Sequence, residues 1–256
     1  MSDITTPQSS IAVFIDYENF PVGSNGSRDA LKLVFERLVD KGRITIKRAY
    51  CDWSRHEAVK PALHELGVEL IEIPDNSQKG KNSADIHLAV DALEACLTKD
   101  HIDIFAILSG DSDFSPLVAK LKEYDKTVIG IGRKKGTASL LENVCDEFIF
   151  YEDIAEKEKF SAVTRFPSYK NKVAKDKQSC YKLLFQTIDS LQSENDQAIY
   201  ASQLKLTMKR KRPDFSETTY GYRTFTALLQ EASRLGFIKI HKDEKTGTMV
   251  DGFSDE

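Results

Sequence analysis

Residues 102–114 read IDIFAILSGDSDF. A nearly continuous apolar run ends in Ser109 and Gly110, and two aspartates, Asp111 and Asp113, follow at once. A run this short and this apolar suits a central parallel strand covered on both faces. Carboxylates so close together repel each other, so a fold that keeps both at a strand end needs a reason to do so.

The segments on either side alternate in kind. IAVFID (11–16) is a second short apolar run that ends in an acid. Residues 28–41 place Leu31, Val34, Phe35, Leu38 and Val39 at helical spacing, and RITIKRAYC (43–51) reads as a strand. HEAVKPALHELG (56–67) predicts a helix stopped by Gly67, with Pro61 inside it. VELIEIP (68–74) is a predicted strand, and Ser83 is the predicted N-cap of a helix over 84–99. Past the opening stretch come a helix at about 114–124, a strand at 127–132, a short helix near 137–143 and a last strand in EFIFY. This β-α alternation predicts an α/β fold: an open, mostly parallel sheet with helices on both faces. Such sheets place their sites outside the carboxyl ends of strands, near a switch in strand order.

The chain of 256 residues has room for a second, smaller domain. Residues 1–155 hold 18 Lys and Arg against 26 Asp and Glu, a net charge of −8, whereas residues 156–256 hold 18 against 14, a net of +4. The asymmetry separates an acidic front from a basic back. Residues 155–177, rich in lysine and poor in large apolar residues, read as a linker. Helical segments follow at about 179–193, 201–211 and 223–235, then a hairpin in FIKIHKDEKTGTMVDGF. Three helices closed by a hairpin outline a winged helix-turn-helix. Cys51, Cys96, Cys145 and Cys180 show no metal or disulfide spacing and read as reduced thiols. No apolar run is long enough to span a membrane, and MSDITTPQSS does not resemble a secretory signal. A cytoplasmic protein is the expectation.

On this scaffold Asp16, Asp111 and Asp113 fall at carboxyl ends of strands, and Asp85 falls in the first turn of the helix before the 102–109 strand. If the two strands are neighbours, the acids converge on one edge. Gathered carboxylates need positive charge, and a hard divalent ion, Mg2+ or Mn2+, suits oxygen ligands. Asn19 offers a neutral amide and Ser109 a supporting hydroxyl. Each signal has a plain alternative. One of Asp111 and Asp113 could be a helix cap, and Asp85 alone would suit a helix dipole. Asp91 lies well around the helix from Asp85 and reads as surface or supporting. None of the five histidines has ligand spacing.

FIDYENF, KNSADIHLAVDAL, ILSGDSDFSPLVAKLKEYDKTVIGIG and ENVCDEFIFYEDI together resemble the NYN domain of the LabA-like (DUF88) type, among the PIN-like nucleases. The resemblance covers roughly residues 10–154. It implies a Rossmann-like fold and a Mg2+- or Mn2+-dependent ribonuclease site at Asp16, Asn19, Asp85, Asp111 and Asp113, leaving a 5′-phosphate. The stretch YASQLKLTMKRKRPDFSETTYGYRTFTALLQEA resembles an OST-HTH, or LOTUS, domain over roughly residues 178–252. That resemblance implies a winged helix that binds RNA or protein.

Basic residues that would hold phosphates are Lys79 and Lys81 before Asp85, and Arg133, Lys134 and Lys135 after the 127–132 strand. In the second domain they are Lys209, Arg210, Lys211 and Arg212, with Tyr220, Tyr222 and Phe225 as candidates for stacking or packing. The resulting expectation is a metal-dependent nuclease of single-stranded RNA. Partners would be RNA, a protein at the C-terminal domain and a second copy of the chain, with no membrane. The rival readings are a non-cleaving RNA-binding adaptor and, more remotely, a haloacid-dehalogenase-like phosphatase. The latter would carry its DxD after the first strand, where this chain has DYEN.

Overall fold

The computed structural model describes residues 9–20, 27–74, 82–160, 172–192, 198–243 and 247–254. The chain divides into two compact units, Met1–Glu156 and Lys157–Glu256.

The first unit contains β1 (Ser10–Asp16), α1 (Ser27–Lys41), β2 (Arg43–Cys51), α2 (Lys60–Glu65), β3 (Glu69–Glu72), α3 (Ser83–Thr98), β4 (Ile104–Leu108), α4 (Ser115–Glu123), β5 (Thr127–Gly132), α5 (Ser139–Val144), β6 (Glu147–Phe150) and α6 (Tyr151–Phe160). Its six strands lie in the order β3-β2-β1-β4-β5-β6, every neighbouring pair parallel. Strand order reverses between β1 and β4, so the crevice outside their carboxyl ends is where ligands bind in such sheets.

Side-chain alternation builds two cores. Ile11, Val13 and Ile15 of β1 face one side, where they pack with Leu31, Val34 and Leu38 of α1 and Leu63 of α2. Ala12 and Phe14 face the other side, with Leu88 and Ala92 of α3, Leu117 and Val118 of α4 and Leu141 of α5. Asp16 has the parity of Phe14, and its side chain is therefore sent toward the face that α3 and α4 cover.

Three local details differ from the sequence reading. Residues 56–67 form one 3-10 turn, Glu57–Val59, and a six-residue helix, with Pro61 in the first helical turn. Proline is tolerated there because the N–H it lacks would have had no helical partner. The N-cap of α3 is Asn82 rather than Ser83, and it makes no side-chain capping bond. The start of the expected linker is helical: α6 runs to Phe160, as alanine, glutamate and lysine in AEKEK favour. Residues 161–171 of that linker, and both Lys79 and Lys81, lie outside the described residues.

The second unit holds α7 (Gln178–Gln192), β7 (Ile199–Tyr200), α8 (Ala201–Lys211), α9 (Phe225–Arg234), β8 (Ile238–Asp243) and β9 (Gly247–Phe253). The strands form an antiparallel sheet in the order β7-β9-β8. Val173, within the expected linker, is buried in this unit's core. Tyr222 and Phe225 are buried there too, so both pack rather than stack on a base. All four cysteines are free, and Cys51, Cys96 and Cys180 are buried.

Candidate active site

The β1–β4 register sets Ile15 opposite Leu108. Asp16 therefore reaches the strand end level with Ser109. The Ser109 hydroxyl donates to Asp16 Oδ2 at 2.7 Å and accepts the Asp111 N–H at 3.1 Å. Asp111 Oδ1 accepts the Asp113 N–H at 2.9 Å, capping the 3-10 turn Ser112–Phe114 that leads into α4. The cap of the DxD pair is thus Asp111, which keeps Oδ2 without a partner among the described residues. Asp113 Oδ2 accepts from the Asn82 amide at the start of α3, at 3.4 Å. One chain of hydrogen bonds so connects the ends of β1 and β4 with the starts of α3 and α4. Gly110 fits this turn because a Cβ there would press on the Gly136 carbonyl at 3.0 Å and Thr137 Cα at 3.2 Å.

Asp16 is buried at 2% exposure. Burial raises its pKa; hydrogen bonds from Ser109 and Asn19 oppose the rise, and the Asp111 charge adds to it. The Asn19 backbone N–H reaches Asp16 Oδ1 at 3.2 Å. Asp85 is pushed up to about 6, first by burial and then by Asp16, Asp111, Asp113 and Glu18. Like charge on these four carboxylates thus adds to the effect of burial. Glu18, absent from the sequence candidates, adds to this charge; its place in DYEN, two residues after Asp16, was the available signal. Among the described residues none of Asp16, Asp85, Asp111 and Asp113 is paired with a lysine or arginine.

Asp91, on the same helix, is elsewhere. Its Oδ2 accepts from Tyr50 at 2.7 Å and from Arg48 at 3.2 Å, and Arg48 also holds Glu69 at 2.7 Å. Asp91 therefore ties α3 to β2 and takes no part in the acidic edge.

The family-level comparison fits this geometry. A model of the NYN domain matches residues 10–152, more than half of the chain. The chain belongs to the NYN domain family. NYN domains are grouped with the PIN-like nucleases, which suggests hydrolysis of nucleic acid and contact with RNA. An uncharacterized protein of Methanocaldococcus jannaschii is 31% identical over 119 residues, 46% of each chain. The NYN chain thus spans just under half of that relative's length. A solved structure from Vibrio parahaemolyticus, of unknown function, aligns with 60% of this chain and 98% of its own at 23% identity and a TM-score of 0.49.

The basic candidates divide by partner. Arg133 pairs with Glu152 at 3.4 Å and Lys134 with Asp153 at 2.5 Å, both acids in the first turn of α6. Lys135 is exposed and has no partner among the described residues. In the second unit Arg212 donates to the Tyr220 hydroxyl at 3.0 Å and Lys211 to Ser190 at 3.3 Å. Lys209 is exposed at the end of α8, and Arg210 is half-buried. The four-residue basic run is therefore split around a helix end instead of forming one face.

The donor set at the acidic edge is all oxygen, which suits a hard divalent cation and not a soft one. Among the described residues no three acid, thiol or imidazole side chains are already drawn around one point. Mg2+ ordinarily takes one or two carboxylates and keeps several waters, a demand these residues meet.

Proposed function

We propose that this NYN protein is a Mg2+- or Mn2+-dependent ribonuclease acting on single-stranded RNA. Its C-terminal unit would be an RNA- or protein-binding module of the OST-HTH, or LOTUS, kind. The observation that carries the nuclease reading is the uncompensated acidic edge. Five carboxylates share the crevice at the reversal of strand order, one of them buried, with no cation paired to the four central ones among the described residues. Such an arrangement opposes folding unless a cation joins it.

Asp16, Asp85 and Asp111 would hold the ion, with Asp113 close by. A bound divalent ion supplies charge neutralisation at a phosphate and a lowered pKa for water. The protein's own groups do the positioning. Ser109 locks Asp16 in one rotamer and holds the Asp111 backbone against it. The Asp111 cap fixes the turn that presents Asp113. The Asn19 amide sits beside Asp16, adds no charge and can meet a phosphate oxygen or a water. Lys135 supplies positive charge on the same sheet edge for a neighbouring phosphate. A single strand suits an open edge, since its phosphates reach the acids without melting a duplex.

The test is cleavage of labelled single-stranded RNA with Mn2+ by wild type, Asp16→Asn and Asp111→Asn. The expected result is cleavage by wild type alone. Equal cleavage by the variants, or RNA binding without cleavage by wild type at high enzyme, overturns the nuclease reading. Binding without cleavage supports the adaptor.

A further inference from the structure

Beside the acidic edge stands a group of three rings that the proposed chemistry leaves unused. Tyr17 follows Asp16 in the chain and has the opposite parity, so its ring joins the core on the α1 side of the sheet. There it meets Trp53 and His56, which come just after β2. The Tyr17 and Trp53 centroids are 5.0 Å apart. The His56 ring stands nearly perpendicular to both, 5.2 Å from Tyr17 and 6.4 Å from Trp53. Tyr17 and Trp53 are buried, at 7% and 1% exposure, whereas His56 is half-buried. An imidazole is therefore presented at the surface on a base of two buried rings.

The mounting is firm. Trp53 donates its backbone N–H to Glu72 Oε1 at 3.0 Å and its indole N–H to the Ile71 carbonyl at 2.9 Å, which ties it to β3. Asp52 caps the 3-10 turn Trp53–Arg55 by accepting the Ser54 N–H at 3.0 Å. The His56 N–H closes that turn on the Trp53 carbonyl at 3.1 Å, and the Tyr17 N–H reaches the Tyr50 carbonyl at 3.2 Å. A ring fixed in this way has little freedom left to lose when a flat partner stacks on it.

The surrounding charge selects that partner. Glu18 and Glu57 are chain neighbours of Tyr17 and His56, and Asp52 and Glu72 hold the turn. The cations of this stretch, Arg55 and Lys60, are already paired, with Asp52 at 3.6 Å and Glu57 at 2.7 Å. A phosphate is disfavoured among these acids. A neutral base is not, and histidine is among the side chains on which unpaired bases stack. The acids of the site lie on the α3 side of the β1 end, and His56 lies on the α1 side. A single strand crossing that end sets a phosphate over the acids and a base beside the imidazole. Tyr17 adjoins Asp16, so the distance to be spanned is roughly one or two nucleotides.

We propose that His56, mounted on Tyr17 and Trp53, stacks on an unpaired nucleobase next to the phosphate held at the acidic edge. The position of that phosphate rests on the proposed nuclease site; the stacking rests on the rings. A base inside a duplex reaches such a ring only by leaving its stack. His56 is thereby a specificity-determining residue, one that favours single strands.

The test is RNA binding in the Asp16→Asn background, read by fluorescence anisotropy. The probes are a labelled single-stranded oligoribonucleotide and an abasic strand of the same length and backbone. His56→Leu keeps an apolar cover on Trp53 but has no π face. It is expected to bind the oligoribonucleotide about fivefold more weakly and the abasic strand unchanged. His56→Phe is expected to keep the affinity for both, and circular dichroism to be the same throughout. Undiminished binding of the oligoribonucleotide by His56→Leu overturns the proposal. An equal loss on both strands, or no RNA binding by the parent, overturns it too. Cleavage is scored separately with Asp16 intact. Base-dependent binding through His56 without cleavage sinks the nuclease reading and leaves the stacking role, whereas cleavage and binding indifferent to His56→Leu do the opposite.

Discussion

The two ends of one stretch of α3 differ sharply in their electrostatics. Asp85 is pushed up to about 6, by burial first and then by the charge of four other carboxylates. Asp91, six residues on, is held by an arginine and a tyrosine, and its charge helps to push the Tyr50 phenol upward after burial. Asp91 has partners within the chain, whereas Asp85 has only like charges near it among the described residues. On the proposed reading that difference separates an acid that serves a bound cation from one that serves the scaffold.

The comparison breaks most directly by removing one charge at each end. Asp85→Asn is expected to lower cleavage by about 10²–10³-fold, the loss typical of removing one electrostatic group from a reacting centre, with Tm unchanged or raised. Asp91→Ala is expected to do the reverse. Cleavage persists, while stability falls by about 1–2 kcal/mol, because Arg48 and Tyr50 lose a partly exposed acceptor. Single-turnover cleavage and chemical denaturation of both variants read the two effects. Equal loss of cleavage in the two would mean that the acids are not divided in this way.

Added metal tests the same contrast from outside. If Mn2+ binds the folded acidic edge as proposed, it should raise Tm by an amount that grows with its concentration. The rise is expected in wild type and in Asp91→Ala, and to shrink in Asp16→Asn. Differential scanning fluorimetry with and without EDTA reads it. A rise of equal size in Asp16→Asn would place the ion elsewhere.

The pH dependence of the metal-free chain is smaller. A carboxyl raised in the folded state binds its proton more tightly there than in the unfolded chain. Asp85 therefore costs least stability below its ordinary 3.8, and the cost grows as pH rises toward about 6. Asp85→Asn in EDTA should gain on wild type across that window and hold its advantage above it. For a half-buried group the gain is about 1 kcal/mol after allowing for solvent, or about 2–4 °C in Tm. A difference that shrinks with rising pH would contradict the repulsion.

How much of this was legible depends on the range over which each feature is determined. Strands β2 and β5 follow from apolar runs and their stops, and the observed ends match the expected ones. The placing of Asp16 and Asp111 also follows, because a strand end in a parallel sheet fixes an edge. The DxD cap was narrowed to two residues and no further, since which carboxylate turns back onto the chain depends on the Ser109 hydroxyl. The exposed side of α3 was hidden for a different reason. SADIHLAVDALEACLT is apolar on several faces, and periodicity does not distinguish a face on the sheet from one in solvent. The pairing of Arg133 and Lys134 was equally invisible, because their partners lie about 19 residues on and the contact depends on where α6 begins.

That pairing gives the smallest and most local form of the comparison. Arg133, Lys134 and Lys135 are consecutive, and from the sequence they are one basic patch. In the structure two of them already face carboxylates of α6 and one does not. An RNA phosphate approaching Lys134 must displace Asp153, whereas one approaching Lys135 displaces only water and counterions. Lys135→Ala is therefore expected to weaken RNA binding by a few-fold and to lower its salt dependence by about one phosphate contact. Lys134→Ala should do less, and Asp153→Asn, which releases the Lys134 charge, should tighten binding slightly. Fluorescence anisotropy with a labelled oligoribonucleotide at several salt concentrations, in the Asp16→Asn background to prevent cleavage, reads all three. If Lys134→Ala weakens binding as much as Lys135→Ala, a partner within the chain is no guide to which charges RNA uses, and the division drawn between the two ends of α3 loses its generality for the basic residues while standing for the acids.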